Sequence, residues 1–300
     1  MEDFSKPPFH APKTHSVNER VLKHLRTMFE TTMLADLTAE YIETYLRRRL
    51  KARVVVQTKN GPVEKGVLKT STVHQELRVL RRMLNVGVRK KLLAANPCAG
   101  VEFPAKLVGL FRPHYMSWSE QQNIEFHAPD YLRNVIRIIT ETGLRVYKEL
   151  APMRKDQVDL ENATIWIPDS KTPTGVAEVP LTDIAVEALR SQIAVAGPGP
   201  YLFPSEVPEN GYQKSFKKVW SLTLKRAKVG YFRLYDLRST YATRLSGGGV
   251  ADEWVTQLLR QGDAKVFKKY SQMKLQMKRE ALAKMNRKAN ETGSGTVTPN

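Results

Sequence analysis

The stretch STVHQELRVLRRMLNVGVRKK, residues 71–91, decides how the first third of this chain folds. Val73, Leu77, Leu80, Leu84 and Val88 recur at steps of four and three, which puts them on one stripe of an α-helix. Arg78, Arg81, Arg82, Arg89, Lys90 and Lys91 lie largely off that stripe. A helix that buries one face and gathers cations on the others presents a surface for phosphates. Upstream, LTAEYIETYLRRRL (37–50) opens a helix at Thr38. Glu40 and Glu43 lie near its positive end and Arg47, Arg48 and Arg49 near its negative end, as the helix dipole favours. Val17, Val21, Leu25 and Met28 mark an earlier helix with Ser16 as its cap. Residues 1–15, with Pro7, Pro8 and Pro12, read as a loose arm, and 54–67, broken by Asn60-Gly61-Pro62, as a loop or short irregular hairpin. From Arg47 to Lys91 there are fourteen basic residues and two acidic ones, Glu64 and Glu76. A solvated face mixes its signs; this one does not.

The whole chain carries the same bias. Its 300 residues include 48 Lys+Arg against 30 Asp+Glu, a formal charge of +18, which favours a polyanionic partner, most often nucleic acid. The 41% of apolar residues suffices for two ordinary cores. A single cysteine, Cys98, excludes an internal disulfide framework and any multi-cysteine zinc module. There is no secretory signal and no apolar run long enough to span a bilayer, so a cytoplasmic, nucleoid-associated protein without a membrane partner is expected.

The boundaries read as an arm at 1–15, a helical domain at 16–100, a Pro-containing linker at 101–116, a second domain at 117–290 and a tail at 291–300. In the second domain, helices are expected at WSEQQNIEFHA (118–128), 131–142, 183–195, 212–228, 236–247, 251–260 and 263–290. Between them, ATIWIPDSKTPTGVAEVPL (163–181) switches to a period of two around a turn, a β-hairpin with Lys171 near its tip. All six histidines lie at or before His127. The second domain therefore has no histidine base or ligand and no cysteine nucleophile, and its chemistry falls to Tyr, Lys, Arg and carboxylates. That set suits phosphoryl transfer to a tyrosine better than metal-assisted hydrolysis. A carboxylate-only Mg²⁺ site built from Glu149, Asp156, Asp169, Asp236 and Asp263 stays open.

Four segments stand out in order: TGLRVYKEL with Arg145, the hairpin tip with Lys171, YDLRSTYATRL with Tyr235 and Arg238 one turn apart, and LLRQGDAKVFKKYSQ with Gln261 and Tyr270 nine residues apart. Taken alone, Tyr270 among Val266, Phe267 and Met273 is a core tyrosine. Taken together, the segments resemble the boxes of the tyrosine recombinase (phage integrase) family. LADLTAEYIETYL and STVHQELRVLRRMLNVGVRKKLLAANP resemble that family's helical core-binding domain.

The resemblance implies a mainly α fold: an N-terminal helical, SAM-like core-binding domain and a C-terminal mixed α+β catalytic domain with a small antiparallel sheet. It implies a site-specific recombinase in which Tyr270 attacks a phosphodiester and forms a 3′-phosphotyrosyl bond, without metal or cofactor. Arg145 and Arg238 would each offer paired hydrogen bonds to the phosphate oxygens. Lys171 would protonate the leaving oxygen, and Glu149 would orient the site. Partners implied are double-stranded DNA, gripped through Arg47, Arg48, Arg78, Arg81, Arg82, Arg89, Lys90 and Lys91, a homotetramer on two duplexes, and host or element-encoded DNA-bending factors. With about fifteen residues before the first helix, the family's arm-binding module is expected to be absent. Three positions depart from the pattern. Tyr235 and Gln261 replace the usual active-site histidines, so donors stay while acid–base duty shifts to Lys171. Glu149 follows Arg145 by four residues instead of three, which predicts a one-residue bulge at Tyr147-Lys148. A relative that binds DNA without cutting it is the alternative reading, and a strand-relaxing topoisomerase is a third.

Overall fold

A computed structural model of the chain describes residues 2–103, 114–168 and 176–261. The chain divides into two compact units, 1–109 and 110–300, with the division inside the expected 101–116 linker.

The first unit contains helices α1 (Glu2–Ser5), α2 (Pro12–Phe29), α3 (Ala39–Lys51) and α4 (Thr70–Arg89), with strands β1 (Arg53–Thr58) and β2 (Gly61–Val67) between the last two. Thr38 caps α3 as its sequence requires, its hydroxyl accepting the Tyr41 N–H at 3.2 Å. The stripe of α4 is buried at Val73, Leu77, Leu80 and Leu84 and half-buried at Val88. These side chains pack against Leu22 and Leu25 of α2 and Ile42, Tyr45 and Leu46 of α3.

Two expectations need correction here. The segment expected as a loose arm carries α1 and the first turn of α2, and the Ser5 hydroxyl meets His15 Nδ1 at 2.7 Å. Pro12 opens α2 because a first-turn residue needs no N–H, so Ser16 lies inside the helix and is not its cap. At 54–67 the structure shows the second of the two expected alternatives, a short irregular hairpin, antiparallel, closed at Thr58↔Gly61 and with a register shift between Arg53 and Val55. Gly61, at φ +100°, supplies the left-handed residue at that turn.

One buried ionic group fastens α3 to α4. Glu76 accepts from the Tyr45 hydroxyl at 2.7 Å and from Arg49 through Nε at 2.9 Å and Nη2 at 2.7 Å. The bidentate fork satisfies both carboxylate oxygens. Burial, helped by the neighbouring carboxylate, pushes the Tyr45 phenol far above its ordinary range, so it stays a donor.

The second unit contains α5 (Trp118–His127), α6 (Asp130–Thr142), strands β3 (Val158–Asp159), β4 (Thr164–Ile167) and β5 (Ala177–Pro180), then α7 (Asp183–Ala196), α8 (Lys217–Arg226), α9 (Leu237–Gly247) and α10 (Asp252–Leu258). The three strands form one antiparallel sheet in the order β3-β4-β5. The expected alternation appears in β4, with Ile165 and Ile167 buried and Trp166 exposed. The hairpin tip with Lys171 and the expected helix at 263–290 with Tyr270 lie outside the described residues. The helix expected at 212–228 is shorter because Tyr212 bridges to Pro204, as a strand residue does, before α8 begins. Helix α6 is strongly amphipathic, with Arg133, Arg137 and Glu141 on one half-exposed stripe, and its apolar face packs against α7 and α9. Among the described residues no helix is long and apolar enough to cross a membrane.

Removing the Glu76 carboxylate leaves Arg49 beside a core with no counter-charge. Glu76→Ala should lower unfolding stability by about 3 kcal/mol in urea denaturation followed by circular dichroism. A loss under about 0.5 kcal/mol would show that the network fastens nothing.

Candidate active site

The site is built around the end of α6. That helix stops at Gly143, which adopts the left-handed conformation at φ +62° and returns its N–H to the Ile139 carbonyl at 2.9 Å. A Cβ at this position would sit 2.6 Å from Tyr241 Cδ1 and 3.0 Å from Leu259 Cδ2. Glycine is thus needed twice, for its φ and for the close approach of α9 and of the chain leaving α10.

Beyond Leu144 the backbone extends through Arg145 and then forms one turn of π-helix, Val146–Leu150. Leu150 N–H donates to the Arg145 carbonyl at 3.1 Å and Ala151 N–H to the Val146 carbonyl at 2.8 Å, both five residues apart. This widened turn matches the bulge that the spacing predicts. It sets the buried Glu149 beneath Arg145. The carboxylate accepts the Arg145 backbone N–H at 2.8 Å and a second bond from Arg145 Nη1.

Arg238 enters from the first turn of α9, just past the 3₁₀ turn Leu234–Asp236 that carries Tyr235. Its side chain is buried, with Nη1 donating to the Gly143 carbonyl and Nη2 to the Leu259 carbonyl. Arg145 Nη2 donates to the Arg260 carbonyl at 3.1 Å. The structure therefore brings Arg145, Arg238 and Glu149 together. Gln261 follows directly, its backbone N–H bonded to Thr256 O at 3.0 Å. Among the described residues the buried Arg238 Nε and Gln261 Oε1 have no hydrogen-bond partner.

A third guanidinium, which the sequence reading did not single out, completes the cluster. Arg260 Nη2 donates to Glu149 Oε2 at 2.9 Å and lies 3.4 Å from the Gly143 carbonyl, while Nη1 donates to Leu258 O at 2.9 Å. Neither periodicity nor a motif marks this residue. Its only sequence signal is adjacency to Gln261.

The charges explain the titration behaviour. Burial alone pushes Glu149 up, but the Arg260 charge, the Arg145 N–H, and the Arg145 and Arg238 charges outweigh it and hold the carboxyl below its ordinary range. Burial, then the Arg145 and Arg260 charges, push Arg238 down to about 9 against the pull of Tyr235 and Glu149. Three guanidinium groups and one carboxylate give the corner a formal charge of +2.

In the first unit, all eight expected DNA-contact residues, Arg47, Arg48, Arg78, Arg81, Arg82, Arg89, Lys90 and Lys91, are exposed. Arg78, Arg82 and Arg89 lie on the face of α4 opposite its core stripe, while Arg81 flanks the stripe and its Nη2 donates to the Cys98 carbonyl at 3.4 Å. The hairpin adds the exposed Arg53, Lys59 and Lys65 to the basic surface, although Arg53 is paired with Glu64.

Residues 119–277 match the phage integrase family. The chain is 27% identical over 210 residues to the integrase of Salmonella phage P22, covering 64% of this chain and 52% of that protein. The chain thus spans about half the length of that relative. It is 26% identical over 258 residues to a tyrosine recombinase of Pseudothermotoga lettingae, covering 84% of each. Its fold is shared with the crystal structure of a lambda integrase tetramer bound to a Holliday junction, with a TM-score of 0.70, 17% identity and coverage of 90% of this chain and 75% of that one.

Two outcomes follow from the geometry. Gly143→Ala should destabilise the protein by about 2–4 kcal/mol, combining φ strain with overpacking against Tyr241. A melting temperature equal to wild type would show that the corner can relax. Glu149 is depressed on folding, so its stabilising contribution is complete above its unfolded pKa and is lost as pH falls through the folded value. The stability difference between wild type and Glu149→Gln should therefore be constant from about pH 5 to 8 and shrink below about pH 4.5. A difference that grows on acidification would reverse the assignment.

Proposed function

The chain belongs to the phage integrase family, and from that membership we propose that it is a site-specific DNA recombinase of the tyrosine type. The observation that carries the reading is the convergence of Arg145 and Arg238, from elements far apart in sequence, on one carbonyl-lined corner with Glu149.

The roles follow from the chemistry. The Tyr270 oxygen, after losing its proton, attacks the scissile phosphorus. The new bond from that oxygen to phosphorus forms as the bond to the 5′-oxygen breaks, and Lys171 gives the leaving oxygen its proton. The 3′-phosphotyrosyl ester keeps the bond energy, so attack by a 5′-hydroxyl reverses the step and rejoins a strand. Arg145 and Arg238 hold the non-bridging oxygens and stabilise the charge that gathers there. Glu149 orients Arg145. Tyr235 and Gln261 donate hydrogen bonds where a histidine could also move protons. The Arg78–Arg89 stripe and the Arg47–Arg48 pair meet phosphates of duplex DNA. By likeness to the lambda integrase tetramer on a Holliday junction, the working assembly is four protomers on two duplexes. DNA-bending factors and a cytoplasmic, nucleoid-associated location belong to the same reading.

The test is a nicked suicide duplex built from the DNA that flanks the gene. Wild type should become covalently attached, Tyr270→Phe should not, and excess EDTA should change nothing. Protein that binds the duplex but never attaches would make it an accessory factor instead. Binding should also weaken steeply with salt. If the stripe makes about four phosphate contacts, reversing its four arginines should flatten the slope of log K against log salt by roughly 3–4. An unchanged slope would remove α4 from the interface.

A further inference from the structure

The proposed chemistry assigns work to two guanidinium groups, yet the buried corner holds three. Arg260 is the one left over, and several observations say that it is not filler. Its side chain is 3% exposed. Its backbone sits at φ +52°, a left-handed conformation that glycine adopts freely and an L-residue only under strain. Its Nε is buried without a partner among the described residues. A strained, buried arginine is a poor way to stabilise a fold, because burying a charge carries a large desolvation cost.

Its contacts indicate what it does. Glu149 Oε2 accepts from Arg260 Nη2 and from the Arg145 N–H, while Glu149 Oε1 accepts from Arg145 Nη1. Were Arg145 the carboxylate's only partner, the pair would be neutral, and Arg238 alone would face a phosphate with full charge. With Arg260 sharing the carboxylate, the cluster carries +2. An in-line phosphoryl transfer gathers about two negative charges around phosphorus once the attacking phenol has lost its proton. The two neighbouring positions, Tyr235 and Gln261, contribute hydrogen-bond donors but no cation.

Resting on the recombinase reading above, we infer that Arg260 is a positioning residue for the cleavage step: it shares Glu149 with Arg145 and supplies the positive charge that Tyr235 and Gln261 do not. Arg260 acts through Glu149 and through the field of the cluster, without itself touching the phosphate. It should therefore matter for the rate of cleavage and little for the grip on DNA.

The experiment compares full-length Arg260→Gly, Arg260→Gln and Arg260→Lys with wild type on the nicked duplex, reading melting temperature, affinity and single-turnover adduct formation. Arg260→Gly loses an ion pair but relieves the φ strain, and should melt within about 3 °C of wild type. Affinity should stay within about threefold in all three variants, since the phosphate-contacting surface is untouched. Adduct formation should slow by about 30- to 100-fold in Arg260→Gly and Arg260→Gln, and by no more than about tenfold in Arg260→Lys. Millimolar guanidinium should partly restore Arg260→Gly in a saturable way, where potassium at equal ionic strength does not. Equal rates for the Gln and Lys variants, or a wild-type rate for either neutral variant, would overturn the inference while leaving the recombinase reading intact. Should Arg260→Gly melt early, the Gln–Lys comparison decides. A wild-type protein that never forms the adduct would overturn the recombinase reading and this inference with it.

Discussion

Three cations share one buried corner, and their mutual repulsion has to be balanced by something that does not move. The balance comes from four backbone carbonyls, those of Gly143, Leu258, Leu259 and Arg260, and from the single carboxylate of Glu149. Each carbonyl is fixed by the element that ends there. Gly143 closes α6, and the run Leu258–Arg260 leaves α10. Helix α6 is held by its own burial against α7 and α9, so the apolar core of the second unit fixes where the dipoles point. The guanidinium groups then need little rearrangement when an anion arrives, which is the condition under which electrostatic stabilisation is most effective.

Much of the site could be read before any coordinates. Arg145 and Arg238 are recognisable because the segments that hold them, TGLRVYKEL and YDLRSTYATRL, resemble family boxes in the family's order. The π turn was legible only against the family resemblance, which implies three residues from Arg145 to Glu149 where this sequence has four, and a helix absorbs an extra residue by widening. Arg260 was not legible. A left-handed arginine carries no periodicity, and its partners lie 111 and 117 residues away in the chain. Composition also misled at the N-terminus. Prolines signal irregular chain, but Pro12 stands at the one helical position where a missing N–H costs nothing. The β1–β2 hairpin was half-legible, since its turn is written in Asn60-Gly61 while its exposed valines give no face to count.

The first unit solves a different electrostatic problem with the same residue type. Its fourteen basic side chains between Arg47 and Lys91 would repel one another if they were scattered through the core. Only Arg49 is drawn inward, where Glu76 takes both of its hydrogen bonds. Arg78, Arg82 and Arg89 of α4 stay on the side away from the apolar stripe, where water screens them. One carboxylate placed inside and many cations placed outside let a strongly basic unit fold.

The same division between fixed and titrating charge bears on the chemistry. A histidine at either of two positions would titrate near neutrality and change the charge of the pocket across the working pH range. The sequence has Tyr235 and Gln261 there, and no histidine after His127. Glu149 is ionised well below neutrality, and Arg238, even pushed down to about 9, stays protonated at pH 7. The charges of Glu149 and Arg238 are thus constant between those limits. On the recombinase reading, any pH dependence of cleavage within that window then reports on proton movement at Tyr270 and Lys171, because the groups that would hold the phosphate have none to give. On the same reading, proton transfer rests on the nucleophile and the acid, and the guanidinium cluster supplies charge alone.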